Sequence, residues 1–130
     1  MEKTFEKMKE QKQEIYDLLA KQNIPVFEDE IAQDEEIDFN ENGYHFFVLQ
    51  MGEIEPTNQD RILSQVIDVY YYSQYLDDLD EKVVNLIADL RNIYGITFQR
   101  TNKLRVQLKD TDQYVDQVMI SLRRKIPIGC

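Results

Sequence analysis

The run Ile62 to Tyr72 (ILSQVIDVYYY) constrains the fold more than any other stretch of the chain. Its β-branched and aromatic residues make it a strand, the longest that the sequence offers. Side chains alternate across a strand, so Leu63, Gln65, Ile67, Val69 and Tyr71 share one face while Ile62, Ser64, Val66, Asp68, Tyr70 and Tyr72 share the other. Both faces are largely apolar. A strand wetted on one side carries polar residues there, so cover is expected on both sides. A helix layer suits one; the other takes either a second helix or another copy of the protein.

With 130 residues, the chain suits one domain (1–130) whose core needs no disulfide or metal. Its 15 Lys and Arg against 25 Asp and Glu give a net charge of -10, which disfavours a nonspecific grip on nucleic acid or anionic lipid. The single cysteine, Cys130, leaves no internal disulfide framework and points to a reducing compartment. Neither a signal-peptide core nor an apolar run of membrane-spanning length, about 18 residues, is present, so synthesis in the cytosol is expected.

Read in order, Glu2 to Gln22 is rich in helix formers, with Phe5, Met8, Ile15, Leu18 and Leu19 near one side. Gln11 and Lys12 interrupt that stripe, so the second half of the helix docks while the first turns project or fray. Asn23 is the stop. Pro25 to Ile31 is a short strand, placed at an edge because proline donates no ladder hydrogen bond. From Glu28 to Glu41 there are eight acidic residues and no basic one, the composition of a solvated loop. Within it, Asp38 to Gly43 matches the opening of a calcium loop. Leu49 occupies the position where a bidentate Glu is needed, and a hairpin turn is the better reading.

Tyr44 to Met51 is the second strand, and a polar loop, Glu53 to Asp60 with Pro56 at its bend, joins it to the long strand as an antiparallel hairpin. Ser73 to Asp77 connects to a second helix. Asp78 and Glu81 have capping-box spacing there, Val83, Val84, Ile87, Leu90 and Ile93 form the stripe, and Gly95 stands where a left-handed C-terminal cap is wanted. Ile96 to Arg100 and Leu104 to Leu108 are extended, with Thr101 and Asn102 as a bulge or bend, and Lys109 to Gln113 is a turn. In the last strand, Tyr114 to Arg124, Val118, Ile120 and Leu122 oppose Met119, Ser121 and Arg123. Arg123 to Lys125 form a small basic end, and Ile126 to Ile128 an apolar tag without a place in the core. The expected class is α+β: a mostly antiparallel sheet on a long central hairpin, packed against one well-defined helix plus an N-terminal helix.

No catalytic constellation emerges. The glycines Gly43, Gly52, Gly95 and Gly129 are scattered, so no phosphate loop is present, and one His with one Cys makes no zinc or iron set. His45, among aromatics and without a partner of nucleophile type, reads as a packed or surface residue. No cofactor or metal is expected. Tyr70, Tyr71, Tyr72 and Tyr75 stand out because tyrosine combines contact area with a polar tip, which suits a core end or a protein interface.

The phrases Tyr44 to Leu49, Val66 to Tyr71, Asn92 to Ile96, Thr111 to Val115 and Arg123 to Pro127, together with the order of elements, resemble the tail-terminator, or head-to-tail joining, proteins of long-tailed bacteriophages. The resemblance spans most of the chain and rests on packing patterns. It implies a virion structural protein without enzymatic activity, assembled in the host cytoplasm. Such a protein forms a hexameric ring that caps the head-proximal end of the tail tube and joins it to the head connector. DNA passes through the lumen without being gripped. Six copies bring about -60 of formal charge to one ring, which repels DNA and lets it slide. On this reading Tyr70, Tyr71, Tyr72 and Tyr75 are subunit-contact candidates. Glu53, Glu55, Pro56, Asp60, Ile126 and Ile128 are candidates for docking the tube or connector, and Glu28, Asp29, Glu30, Asp34, Glu35 and Glu36 for lumen charge. The alternatives are an acidic DNA mimic that inhibits a nucleic-acid enzyme, or another small head-completion or connector protein.

Overall fold

The computed structural model describes residues 1–28, 45–107 and 114–129. In chain order these form α1 (Glu2–Ala20), β1 (Val26–Glu28), β2 (Phe46–Pro56), β3 (Ile62–Ser73), α2 (Leu79–Arg91), β4 (Ile96–Gln107) and β5 (Tyr114–Pro127). The strands make one five-stranded sheet in the order β1-β2-β3-β5-β4. Only β1 runs parallel to its neighbour; the β2-β3, β3-β5 and β4-β5 pairs are antiparallel. The class is α+β, as the sequence predicts, and β3 is the middle strand. Among the described residues, no helix is long and apolar enough to cross a membrane.

Both helices cover the same face of that sheet. Ile15 and Leu19 of α1 and Val83, Leu86 and Leu90 of α2 share one core with Phe47, Leu49, Ile67, Val69, Tyr71, Val118, Ile120 and Leu122. On β3 this is the face defined by Ile67 and Val69, both fully buried. The expectation of cover on both faces is not met by the described helices. α1 docks through Ile15 and Leu19 beside α2, on the same face, rather than opposite it.

Several local readings change. β2 continues through Glu53 and Glu55 to Pro56, so the first half of the expected polar loop is strand, and the turn is confined to 57–61. A bulge between Met51 and Ile54 allows this. Gly52 sits there under the Val66 carbonyl, where a Cβ would come within 2.8 Å of the oxygen. Asp78 occupies the N-cap of α2 but makes no side-chain cap hydrogen bond, so the expected capping box is absent. Gly95 has φ +84, left-handed as expected, yet it lies beyond the helix, in a turn closed by the Ile96 N–H on the Ile93 carbonyl at 3.2 Å. Asn23, the expected stop of α1, also has a left-handed φ of 63.

The C-terminal tag has a place after all. β5 runs to Pro127, Ile126 is buried opposite Leu63, and the Ile128 N–H donates to the Arg61 carbonyl at 2.9 Å. Thr4 Oγ1 of α1 donates to the Pro127 carbonyl at 3.1 Å, tying both ends of the chain together.

Candidate interaction surface

The second face of the sheet can be read row by row from the strand register. Phe46, Tyr72, Gln117 and Leu104 form one row across β2, β3, β5 and β4; Val48, Tyr70, Met119 and Asn102 form the next; Gln50, Asp68, Ser121 and Arg100 form a third. The face therefore grades from aromatic and apolar at one end to polar at the other. Phe46 and Val48 are buried yet stand apart from the helix-covered core, Tyr70, Tyr72, Val66 and Met119 are half-buried, and Leu104 is exposed. No described helix packs here.

Specific contacts hold the aromatic end in shape. The rings of Phe46 and Tyr72 stack at 4.5 Å, and Phe27 of β1 meets the Phe46 ring edge-on at 5.9 Å. Gln117 Nε2 donates to the Tyr72 hydroxyl at 2.9 Å, so the tyrosine tip is held in the plane of the face. Burial raises the pKa of Tyr70 and of Tyr72, with the Asp68 carboxylate adding to the first shift and Tyr70 to the second. Both rings stay neutral, with hydroxyls able to donate or accept.

The polar end holds a shallow cavity of about 430 Å³ lined by Val66, Asp68, Gln99, Arg100, Met119 and Arg123, among others. One carboxylate oxygen of Asp68 is buried there without a hydrogen-bond partner among the described residues. Arg123 Nη1 instead donates to Ser64 Oγ at 3.0 Å and pairs with Glu55 at 3.5 Å. A buried acceptor left without a donor is unfavourable in an isolated chain and is relieved by a donor from outside.

The sequence-derived candidates are dispersed by this geometry. The four tyrosines do not share a surface. Tyr70 and Tyr72 lie on the second face, whereas Tyr71 is a core residue, its ring 4.8 Å from that of Phe47. Tyr75 lies beyond the strand with φ 56 and is exposed. Strand alternation separates Tyr71 from its neighbours, so it is corrected from contact candidate to core. Glu53, Glu55 and Pro56 are exposed strand residues, and Asp60 is in the turn that follows. Ile126, being buried, offers no docking surface, while Ile128 is partly exposed. Glu28 of β1 is exposed and pairs with Lys12 of α1 at 3.2 Å. Asp29, Glu30, Asp34, Glu35 and Glu36 lie outside the described residues, as do the Asp38–Gly43 sequence and the turn 109–113.

His45 is half-buried at the mouth of a cavity of about 120 Å³ that Lys82, Tyr71 and Leu86 also line. Burial lowers its pKa, and the Lys82 ammonium adds to the shift. Among the described residues, no group of three or more His, Cys, Asp or Glu is arranged to hold a metal. Two features escaped the sequence reading: the orphaned oxygen of Asp68 and the burial of Arg124, which looked like part of a basic tail. Strand parity was the available signal for Arg124, since it shares a face with Ile120 and Leu122.

Comparison of the chain with protein-family models and with curated proteins gives no match.

Proposed function

We propose that this protein is a ring-forming structural protein of a long-tailed phage. In that role it caps the head-proximal end of the tail tube and joins it to the head connector, without catalysis. The observation that carries the reading is the second sheet face. An apolar-to-polar surface with stacked aromatics and an orphaned buried carboxylate oxygen suits a neighbouring copy better than water. The resemblance in element order and local phrases supplies the biological setting.

Charge distribution supports the same reading over a DNA mimic. Beyond Gly95 the chain carries seven Lys and Arg against three Asp and Glu, a balance of +4 that leaves -14 for the rest. A mimic requires acid over its binding face. A subunit that meets its own copies gains from carrying both signs of charge.

The mass in solution, alone and with tail-tube protein, tests the reading. A closed oligomer, seen as rings by electron microscopy, is expected; a monomer under both conditions contradicts it. Displacement of DNA from a nuclease or repressor would favour the mimic instead.

A further inference from the structure

We infer that the trough between the first half of α1 and the sheet is a docking site for an acidic peptide segment that carries a bulky apolar side chain and belongs to a partner protein. The trough measures about 420 Å³ and is lined by Phe5, Met8, Lys9 and Lys12 of α1 with Met51, Gln65 and Arg124 of the sheet. It exists because the apolar stripe of α1 outruns its packing. Ile15 and Leu19 are fully buried, but Met8 is only half-buried and Phe5 is 51% exposed. Thr4 and Met8 are nevertheless tied down, through the Pro127 carbonyl and the Arg124 guanidinium, so the front of the helix is held over Met51, Gln65 and Arg124.

Arg124 decides the chemistry of the occupant. It is only 4% exposed, and no carboxylate among the described residues pairs with it. Its partners are neutral: Gln65 Oε1, reached by Nε at 2.9 Å and Nη2 at 2.6 Å, and the Met8 carbonyl, reached by Nη1 at 3.0 Å. A guanidinium has five N–H donors, so two are left without an acceptor among the described residues. Lys9 adds a second charge without an ion pair among the described residues, and Lys12 a third, shared with Glu28 at 3.2 Å. A cluster of three cations around thioether and phenyl surface, in a chain of net charge -10, complements a carboxylate-bearing apolar segment. The methionines let the floor adapt to the side chain that enters.

Fluorescence polarisation on the full chain, with the labelled peptide Glu-Leu-Asp-Phe-Glu as probe, tests this site. Saturable binding is expected, weakening as salt rises and reduced about tenfold or more in the double variant Phe5→Ser with Lys9→Glu. Both positions are exposed, so this variant keeps its fold where Arg124→Gln risks losing it. The peptides Lys-Leu-Lys-Phe-Lys and Glu-Ser-Asp-Ser-Glu should bind at least about tenfold more weakly. No saturable binding, equal binding of the basic peptide, an unaffected double variant, or binding of decanoate in place of the acidic peptide would each overturn the assignment. Because the readout is peptide binding, it is independent of ring assembly.

Discussion

Arg124 of β5 and Gln65 of β3 face each other across the sheet, and two N–H groups of the arginine converge on one amide oxygen of the glutamine. Both side chains are buried on the helix-covered face, where Nη1 of the arginine also reaches the Met8 carbonyl of α1. The amide is fixed in turn, since Gln65 Nε2 donates to the Gly52 carbonyl at 3.0 Å. One network thus joins the bulge of β2, the central strand, β5 and the first helix.

Replacing Gln65 with Leu strands a buried cation, and desolvated charged groups without partners are expensive. A loss of about 2–4 kcal/mol in denaturant unfolding is expected. The pair Gln65→Leu with Arg124→Met should be less destabilised than Gln65→Leu alone. A double variant at least as unstable as that single would show that the pair is not the unit that matters.

Tyr71 and Tyr72 should behave differently despite being adjacent. Tyr71→Ala opens a cavity beside Phe47 and should destabilise by about 3–5 kcal/mol. Tyr72→Ala should be milder in the isolated chain, while removing the acceptor of Gln117 and weakening assembly. Unfolding curves paired with mass measurements separate the two effects.

Stability should fall on mild acidification because of His45. Its pKa lies below the ordinary 6.5, so the unfolded chain binds the proton more readily. The contribution is present above 6.5 and is lost as pH falls through the lower folded value. Comparing urea midpoints across that window in the parent chain and in His45→Gln checks the sign, since the variant should flatten the slope there.

Gly95→Ala should destabilise by about 1–2 kcal/mol, because φ +84 is costly for any residue with a Cβ. An added Cβ would also lie 2.5 Å from Gln11 Nε2, which donates to the Tyr94 carbonyl at 2.7 Å. Backbone strain should therefore persist when Gln11 is replaced by Ala, while the part of the loss due to the clash is relieved. A double variant with full parental stability in thermal unfolding would contradict this division.

Much of the fold was legible because strand and helix periods are local. Alternation along Ile62 to Tyr72 gave the two faces of β3, and the Val83, Leu90 and Ile93 spacing gave the helix that covers one of them. Strand order was not legible, because β5 inserting between β3 and β4 depends on pairing between distant segments. The polarity of Glu53 and Glu55 hid a strand, since exposed residues of a hairpin arm look like loop. Alternation puts Tyr70 and Tyr72 on one face and Tyr71 on the other, but it does not say which of the two the helices cover. Asp68 was unreadable as an orphan because a missing partner leaves no mark in a sequence.

The solution mass of the parent chain beside that of Met119→Glu tests whether copies assemble through the second face. Met119 lies in the middle of the second face, between Tyr70 and Asn102, and touches no described helix. A closed oligomer is expected for the parent and a folded monomer for the variant, with unchanged circular dichroism. A parent that is monomeric, or a variant that assembles as the parent does, contradicts assembly through that face.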